Sequence, residues 1–442
     1  MWASDLGGIP ADLTIDEVAA VRALLRQPDV ASRRAALERM DGWGDRDVDQ
    51  DSGSAVLRAA TQSYPWLKGE RADPADRFAR VLWTRPALLS VAEVEGAYLI
   101  ASDRVRRSLL HLLALRRDRD GLASVAFLIG PDGPSDLLPL PTTGLLDPVL
   151  DVVSAPSLVP SLVAVASRRG WAWHATDLLR RLAVDQRLDD DTVAHVVDGM
   201  VPLVDDLVES CDRLVAMRPD ELPPDLAGER PSVRVDPSRA DRHRLRAVIG
   251  LLAELPVDGA RPPLLRALAS ADPRVAADAA VALVARGAPV ASERLVLIAR
   301  DAEARGTLVD GLEEHDRVDL LDAEHRTGRA RAESDLVRWL AIETELGRAP
   351  DELEHVEAVP STPEPSSGEV HLFRFRVRAP HWSSARGWMI GAAGPYVADG
   401  TPGHGVDAFA SSIYNAEDED GTTGHLAAIL ESLAAWPDDR DV

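Results

Sequence analysis

The sequence predicts a mainly α protein, an irregular helical solenoid followed by a small α+β C-terminal module. Three observations predict it. Most of the first 345 residues carry apolar side chains at helical spacing between short polar breaks. From residue 240 to 301, short antiparallel helices follow one another around a D-P-x-V turn at 272–275. Beyond a Pro- and Ser-rich stretch at 359–368 the composition changes. Seven of the 19 aromatic residues fall between 371 and 414, and strict alternation replaces helical spacing.

The helical elements can be justified in order. "TIDEVAAVRALLRQ" opens with Thr14 and has Glu17 three residues later, the reciprocal pair of a capping box. "VASRRAALERM" follows a Pro28–Asp29 break, and "RVRRSLLHLLALRRDR", "SLVPSLVAVASRR" and "WHATDLLRRLAVDQ" keep helical spacing. "DDTVAHVVDGM" and "PLVDDLVESCDRLVAM" read as two helices, with Pro202 at the first turn of the second. Leu203, Leu207, Ser210 and Leu214 then share a largely apolar face. These helices make an N-terminal part over 1–217, closed by a Pro-rich loop at 218–239.

A second helical part spans 240–348. Leu245, Val248, Leu252 and Leu255 mark its first helix, closed by Pro256, and "RPPLLRALAS" is the next. The third, "ADPRVAADAAVALVARG", has Asp272 as N-cap, Pro273 in its first turn and Gly287 as its stop. "SERLVLIARDAEARG" reads as a fourth. This stretch resembles HEAT-type repeats, with Asp272, Pro273, Val275, Ala279, Ala280 and Leu283 matching the turn and inner helix. "QPDVASRRAALERM" is a looser second match. The resemblance implies stacked antiparallel helix pairs.

The remaining 349–442 read as the α+β module, with an internal linker at 359–368. In "HLFRFRVRAP", Arg374, Arg376 and Arg378 alternate with Phe373, Phe375 and Val377, so a strand would turn aromatic rings to one face and guanidinium groups to the other. "EHVEAV" supplies a further strand and "GWMIGAAGPYVADG" another, with Gly391 and Gly394 permitting close backbone approach. "TGHLAAILESLAAW" closes as an amphipathic helix. Residues 371–398 hold no acid and four arginines, whereas 399–442 hold ten acids and one arginine. The region resembles a C-terminal module of HEAT-repeat proteins from high-GC bacteria. The likeness rests on Phe373 to Arg376, Pro380, Trp382, Gly387, Trp388, Gly391 and Gly394 to Tyr396. That family has no established activity. The resemblance implies at most an association with toxin–immunity or defence loci.

Composition bounds the chemistry. The chain of 442 residues carries a formal charge of -24, which disfavours nucleic acid as a general partner and favours basic proteins. Lys68 is the only lysine. Cys211 is the only cysteine, so no intramolecular disulfide forms, and its acidic neighbours disfavour a thiolate. The N-terminus lacks the basic and apolar regions of a secretory signal, and no apolar run reaches the ~18 residues of a membrane span. A reducing cytoplasm fits best.

No P-loop, dinucleotide fingerprint, nucleophile elbow or zinc-protease motif occurs. Asp45, Asp47, Asp49 and Asp51 alternate like calcium ligands, but neither register puts Gly at position 6 and an acid at position 12. They read as a charged interhelical loop. Glu314–His315 and Glu324–His325 are ten residues apart and diverge on a helix, so they read as solvated faces.

The expectation is therefore a protein without catalytic, cofactor or metal residues, a non-enzymatic scaffold for protein–protein interaction with a basic partner. An immunity- or antitoxin-like inhibitor is its sharper form. Residues 185–229 hold 13 acids and three arginines, and Asp205, Asp206 and Glu209 are the candidate contacts there. The alternative is nucleic-acid binding through Arg374, Arg376, Arg378, Arg386 and Trp388.

Overall fold

The computed structural model describes residues 12–43, 46, 48–62, 72–168, 170–216, 239–342, 349–361, 368–376, 388–400 and 431. Among these, sixteen α-helices precede one three-stranded antiparallel sheet. The chain is mainly α with a small α+β module at its C-terminal end. It divides into two compact units, 1–200 and 201–442.

In the first unit the helices are α1 (Ile15–Leu25), α2 (Val30–Asp41), α3 (Gln50–Thr61), α4 (Pro74–Val81) and α5 (Val91–Ile100). They continue as α6 (Asp103–Leu115), α7 (Arg119–Ile129), α8 (Val159–Ala166) and α9 (Ala172–Val184). Packing follows chain order: α3 touches α1, α4 and α5, and α6 touches α4, α5 and α7. Contact with the next helix and the next but one is what stacked helix pairs require, since a lone pair leaves one apolar face uncovered. Short polar side chains start these helices. Thr14 and Glu17 form the capping box on α1, Asp29 accepts from the Ser32 amide, and Asp73 accepts from the Ala75 amide ahead of Pro74.

Helix α10 (Asp190–Ala216) departs from the sequence expectation, because it is one 27-residue helix with Pro202 in its interior. Proline has no N–H for the Asp198 carbonyl, yet both residues are exposed, so water can replace the missing bond. The division between the two units falls at this turn. Leu203, Val204, Leu207, Val208 and Cys211 form its buried stripe, while Ser210 and Leu214 lie at the margin. The Cys211 thiol is pushed up to about 12, by burial first and then by Asp272 and Asp241. It is apolar filling.

The second unit continues with α11 (Arg239–Glu254), α12 (Arg261–Leu268), α13 (Pro273–Ala285), α14 (Ser292–Ala299), α15 (Ala302–Glu314) and α16 (Gly328–Leu340). Here α13 packs on α11, α12, α14 and α15. Its Ala276, Ala277, Ala280 and Val284 share a core with α14 and α15, and the alanines let the axes approach. Asp272 caps α13, and Gly287 follows it with φ +69°. "SERLVLIARDAEARG" is two helices rather than one. The chain turns at Arg300–Asp301, where the Asp301 carboxylate accepts from the Ala304 amide and begins α15. His315 caps the end of α15 and His325 lies buried in a separate 3-10 turn, so the two Glu–His pairs share no helix and His325 is not on a solvated face.

Arginines at helix ends tie successive helices together. Arg286, after α13, donates to the carbonyls of Leu252, Ala253, Leu255 and Val257 at the end of α11. Arg116 reaches Pro86 and Leu89 in the same way, and Arg187 reaches Leu150 and Val152. A planar guanidinium with five donors suits a fan of helix-terminal carbonyls. Arg286→Ala is expected to destabilise the second unit by about 2–3 kcal/mol, the cost of leaving several part-buried carbonyls unpaired. Chemical denaturation checks this, and a loss below about 0.5 kcal/mol would contradict it.

The sheet comprises β1 (Glu352–Pro360), β2 (Glu369–Arg376) and β3 (Met389–Tyr396) in that order, all antiparallel. Val359 and Pro360 belong to β1 and pair with Val370 and Glu369, so the stretch at 359–368 begins inside a hairpin. Phe373 and Phe375 point into a core with Met389 and Tyr396 and with Leu336 and Leu340 of α16. Gly391 lets β3 approach that helix, since a Cβ there would lie 2.9 Å from a Leu336 methyl group. Gly394, at φ +125°, turns beside the Glu369 carbonyl. The Pro-rich loop at 218–239 lies outside the described residues except for Arg239, which begins α11; "TGHLAAILESLAAW" is likewise outside them except for the helical Glu431.

Candidate functional site

The arginine row of β2 is built by the register of the sheet. Alternation puts Arg374 and Arg376 on the face opposite Phe373 and Phe375. On β1, Glu354 stands directly across from Arg374 and Glu352 across from Arg376. Both cross-strand pairs close: Arg374 Nε donates to Glu354 at 2.7 Å, and Arg376 pairs with Glu352. The indole of Trp388 lies 4.6 Å from the Arg374 guanidinium carbon and 5.0 Å from that of Arg376, within cation–π range of both. The row is thus a half-exposed ladder, neutralised by its neighbouring strand. Arg378 and Arg386 lie outside the described residues. The acids at 417–420 also lie outside them; Glu352 and Glu354 are the row's partners among the described residues.

The acids of α10 have a different setting. Asp205, Asp206 and Glu209 all face solvent, on the side of the helix away from its buried stripe. Asp205 lies 3.5 Å from Arg266 of α12, and Glu209 lies 2.9 Å from Arg213 one turn on. Asp206 has no cation within ion-pair distance among the described residues. Exposed pairs of this kind are worth about 0–1 kcal/mol, so a partner's cations can displace them.

Other acids are inside the fold, which composition does not reveal. Asp212 accepts from the Ser270 hydroxyl and from the Ala271 amide at 2.8 Å. Asp272, wholly buried, accepts from the amide and Nε of Arg274, both at 3.0 Å, and lies 3.4 Å from Arg242. Glu303 of α15 contacts the same two guanidinium groups at 3.2 and 3.7 Å. Asp278 lies 3.3 Å from Arg246, and burial pushes its carboxyl up to about 6. This lattice of charge stitches α11, α13 and α15 together. Asp49 likewise has a local task, capping α3 through the Ser52 amide, while Asp45 and Asp47 lie outside the described residues.

Two features escaped sequence reading. Phe373 packs edge-on at 5.3 Å against His355, whose Nε2 lies 3.3 Å from Nδ1 of the buried His371. Sixteen residues separate these histidines, and only the strand register joins them. Arg80, Arg104 and Arg107 gather around a cleft in the first unit, because α4 and α6 pack against each other. The phrase "ADP", at 72–74 and again at 271–273, was the available signal that α4 and α13 open alike. Among the described residues, no group of three or more His, Cys, Asp and Glu could hold a metal ion, and no helix is long and apolar enough to cross a membrane. No protein-family model and no curated protein matches the chain.

Proposed function

We propose that the protein is a HEAT-like helical repeat scaffold of the reducing cytoplasm that binds a basic protein partner without catalysing a reaction. One observation carries this reading: Asp205, Asp206 and Glu209 stand exposed on one side of α10, while the arginines of β2 are already matched by Glu352 and Glu354. Carboxylates so placed attract a basic surface from a distance and accelerate encounter. The sharper form is an immunity- or antitoxin-like inhibitor, in which this face covers the cationic active surface of an enzyme acting on anionic substrates.

The nucleic-acid alternative needs guanidinium groups available to phosphate, and both described members of the row are paired across the sheet. The test is capture of cellular proteins by wild-type chain and by a variant carrying Asp205→Lys, Asp206→Lys and Glu209→Lys. The scaffold reading expects a basic protein that the wild type retains and the variant loses. Equal retention by both, or retention of nucleic acid alone, would contradict it.

A further inference from the structure

The first unit holds an open cleft of about 410 Å³, a size suited to a small metabolite. Arg80 of α4 and Arg104 and Arg107 of α6 line it, facing the hydroxyl-bearing turn at Thr142 and Thr143. None of its lining residues is an acid. In a chain of formal charge -24 this is a local reversal of sign.

The reversal is structurally supported. Asp76, whose side chain is 4% exposed, sits beneath the arginines. It accepts from Nε of Arg104 at 2.8 Å, lies 3.3 Å from Nε of Arg80, and accepts from the Ser108 hydroxyl. Engagement through Nε orients both guanidinium planes, yet the side chains keep 46% (Arg80) and 43% (Arg104) of their surface exposed. Arg80 also stacks over Trp83 at 5.2 Å, and the Trp83 indole donates to the Ser108 carbonyl. His111 packs edge-on to that indole at 4.6 Å. Its Nδ1 lies 2.7 Å from the Leu145 carbonyl and must donate there, which leaves Nε2 as its other polar atom.

Arg107, half-buried, has no acid within ion-pair distance among the described residues. The nearby acids are otherwise engaged, Asp103 with Arg106 at 3.1 Å and Asp147 with Arg181 at 2.9 Å. Three guanidinium groups on an acid-free lining, one of them without an acid partner among the described residues, suit the oxygens of a phosphate monoester dianion.

We propose that this cleft binds a phosphate dianion, with the Trp83 and Leu145 walls taking the organic part of an ester. The assignment goes beyond the scaffold function and is independent of α10. Calorimetric titration of the full chain with inorganic phosphate, adenosine 5′-monophosphate and glucose 6-phosphate tests it, with adenosine as the uncharged control. Phosphate-bearing probes should bind and adenosine should not. Tighter binding of either ester than of inorganic phosphate identifies an esterified ligand, and the reverse order identifies free phosphate. Arg107→Ala should weaken binding by about tenfold or more with an unchanged melting temperature. Arg107→Lys should retain most of it, separating lost charge from lost structure. No heat from any probe at millimolar concentration, or affinity unchanged in Arg107→Ala, would overturn the proposal. So would a short single-stranded RNA that binds through Arg107 more tightly than every small phosphate.

Discussion

Alanine at Asp272 is expected to destabilise the second unit by about 3–5 kcal/mol, the largest effect of any single substitution considered. The carboxylate is wholly buried and stands at the centre of a charge lattice. Its removal deletes the N-cap of α13, worth about 1 kcal/mol. It also takes from Arg242 and Arg274, two largely buried guanidinium groups, a carboxylate that they share with Glu303 as a partner. Breaking a buried pair from one side is costly because the remaining charge keeps its desolvation penalty and loses its partner. Asp272→Asn retains a side-chain oxygen for the Arg274 amide and should lose less than alanine does. Hydrogen exchange read on peptides from α11, α13 and α15 checks this, since local opening there should rise together by two to three orders of magnitude. Loss of protection confined to the first turn of α13 would reduce Asp272 to a simple cap.

Acidification is the second large effect. Burial, then His355, then Arg329 push the His371 imidazole down from 6.5 to about 4. His355 is lowered as well, by burial and then by Arg329, with Glu333 and Glu369 opposing. The unfolded chain therefore binds a proton at His371 before the folded one does. This contribution to stability is complete above pH 6.5, falls as pH drops through that value, and is lost near pH 4. Its full size is on the order of 3 kcal/mol. Asp278 works in the opposite sense. Its carboxyl is raised to about 6, so the folded state takes up that proton first and gains stability as pH falls through 6. The two are distinguished by substitution: His371→Phe should flatten the acid limb of the sheet's unfolding without altering that of α13. An unchanged limb in His371→Phe, or a His371 resonance titrating near 6.5, would contradict the assignment.

How much of this was legible depended on whether a signal is local. Thr14 with Glu17, Asp272 with Pro273, and the alternation around Phe373 and Phe375 are read within a few residues, and each element forms as they indicate. Pro202 misled because its effect depends on exposure: on the solvent side of α10 the helix tolerates a missing amide. Asp301 was overlooked because, between Arg300 and Glu303, an acid reads equally well as part of a charged helix face. The candidate sites depended on contacts between distant residues. Glu352 and Glu354 meet the arginine row only through strand register, which hairpin length does not specify in a stretch as long as 359–368. Asp76 meets Arg104 across 28 residues, and neither residue type nor spacing announces that meeting.

The most direct test of the scaffold reading is the affinity of the captured partner, measured by calorimetry against ionic strength. With wild-type chain, a basic partner held by Asp205, Asp206 and Glu209 should bind more weakly as salt rises from 50 to 300 mM, by about tenfold or more. The triple lysine variant should bind at least about a hundredfold more weakly at low salt and lose that salt dependence, while Arg374→Ala leaves both unchanged. Affinity insensitive to salt, or equal in wild type and the triple variant, would contradict the claim that this acidic face is the binding surface.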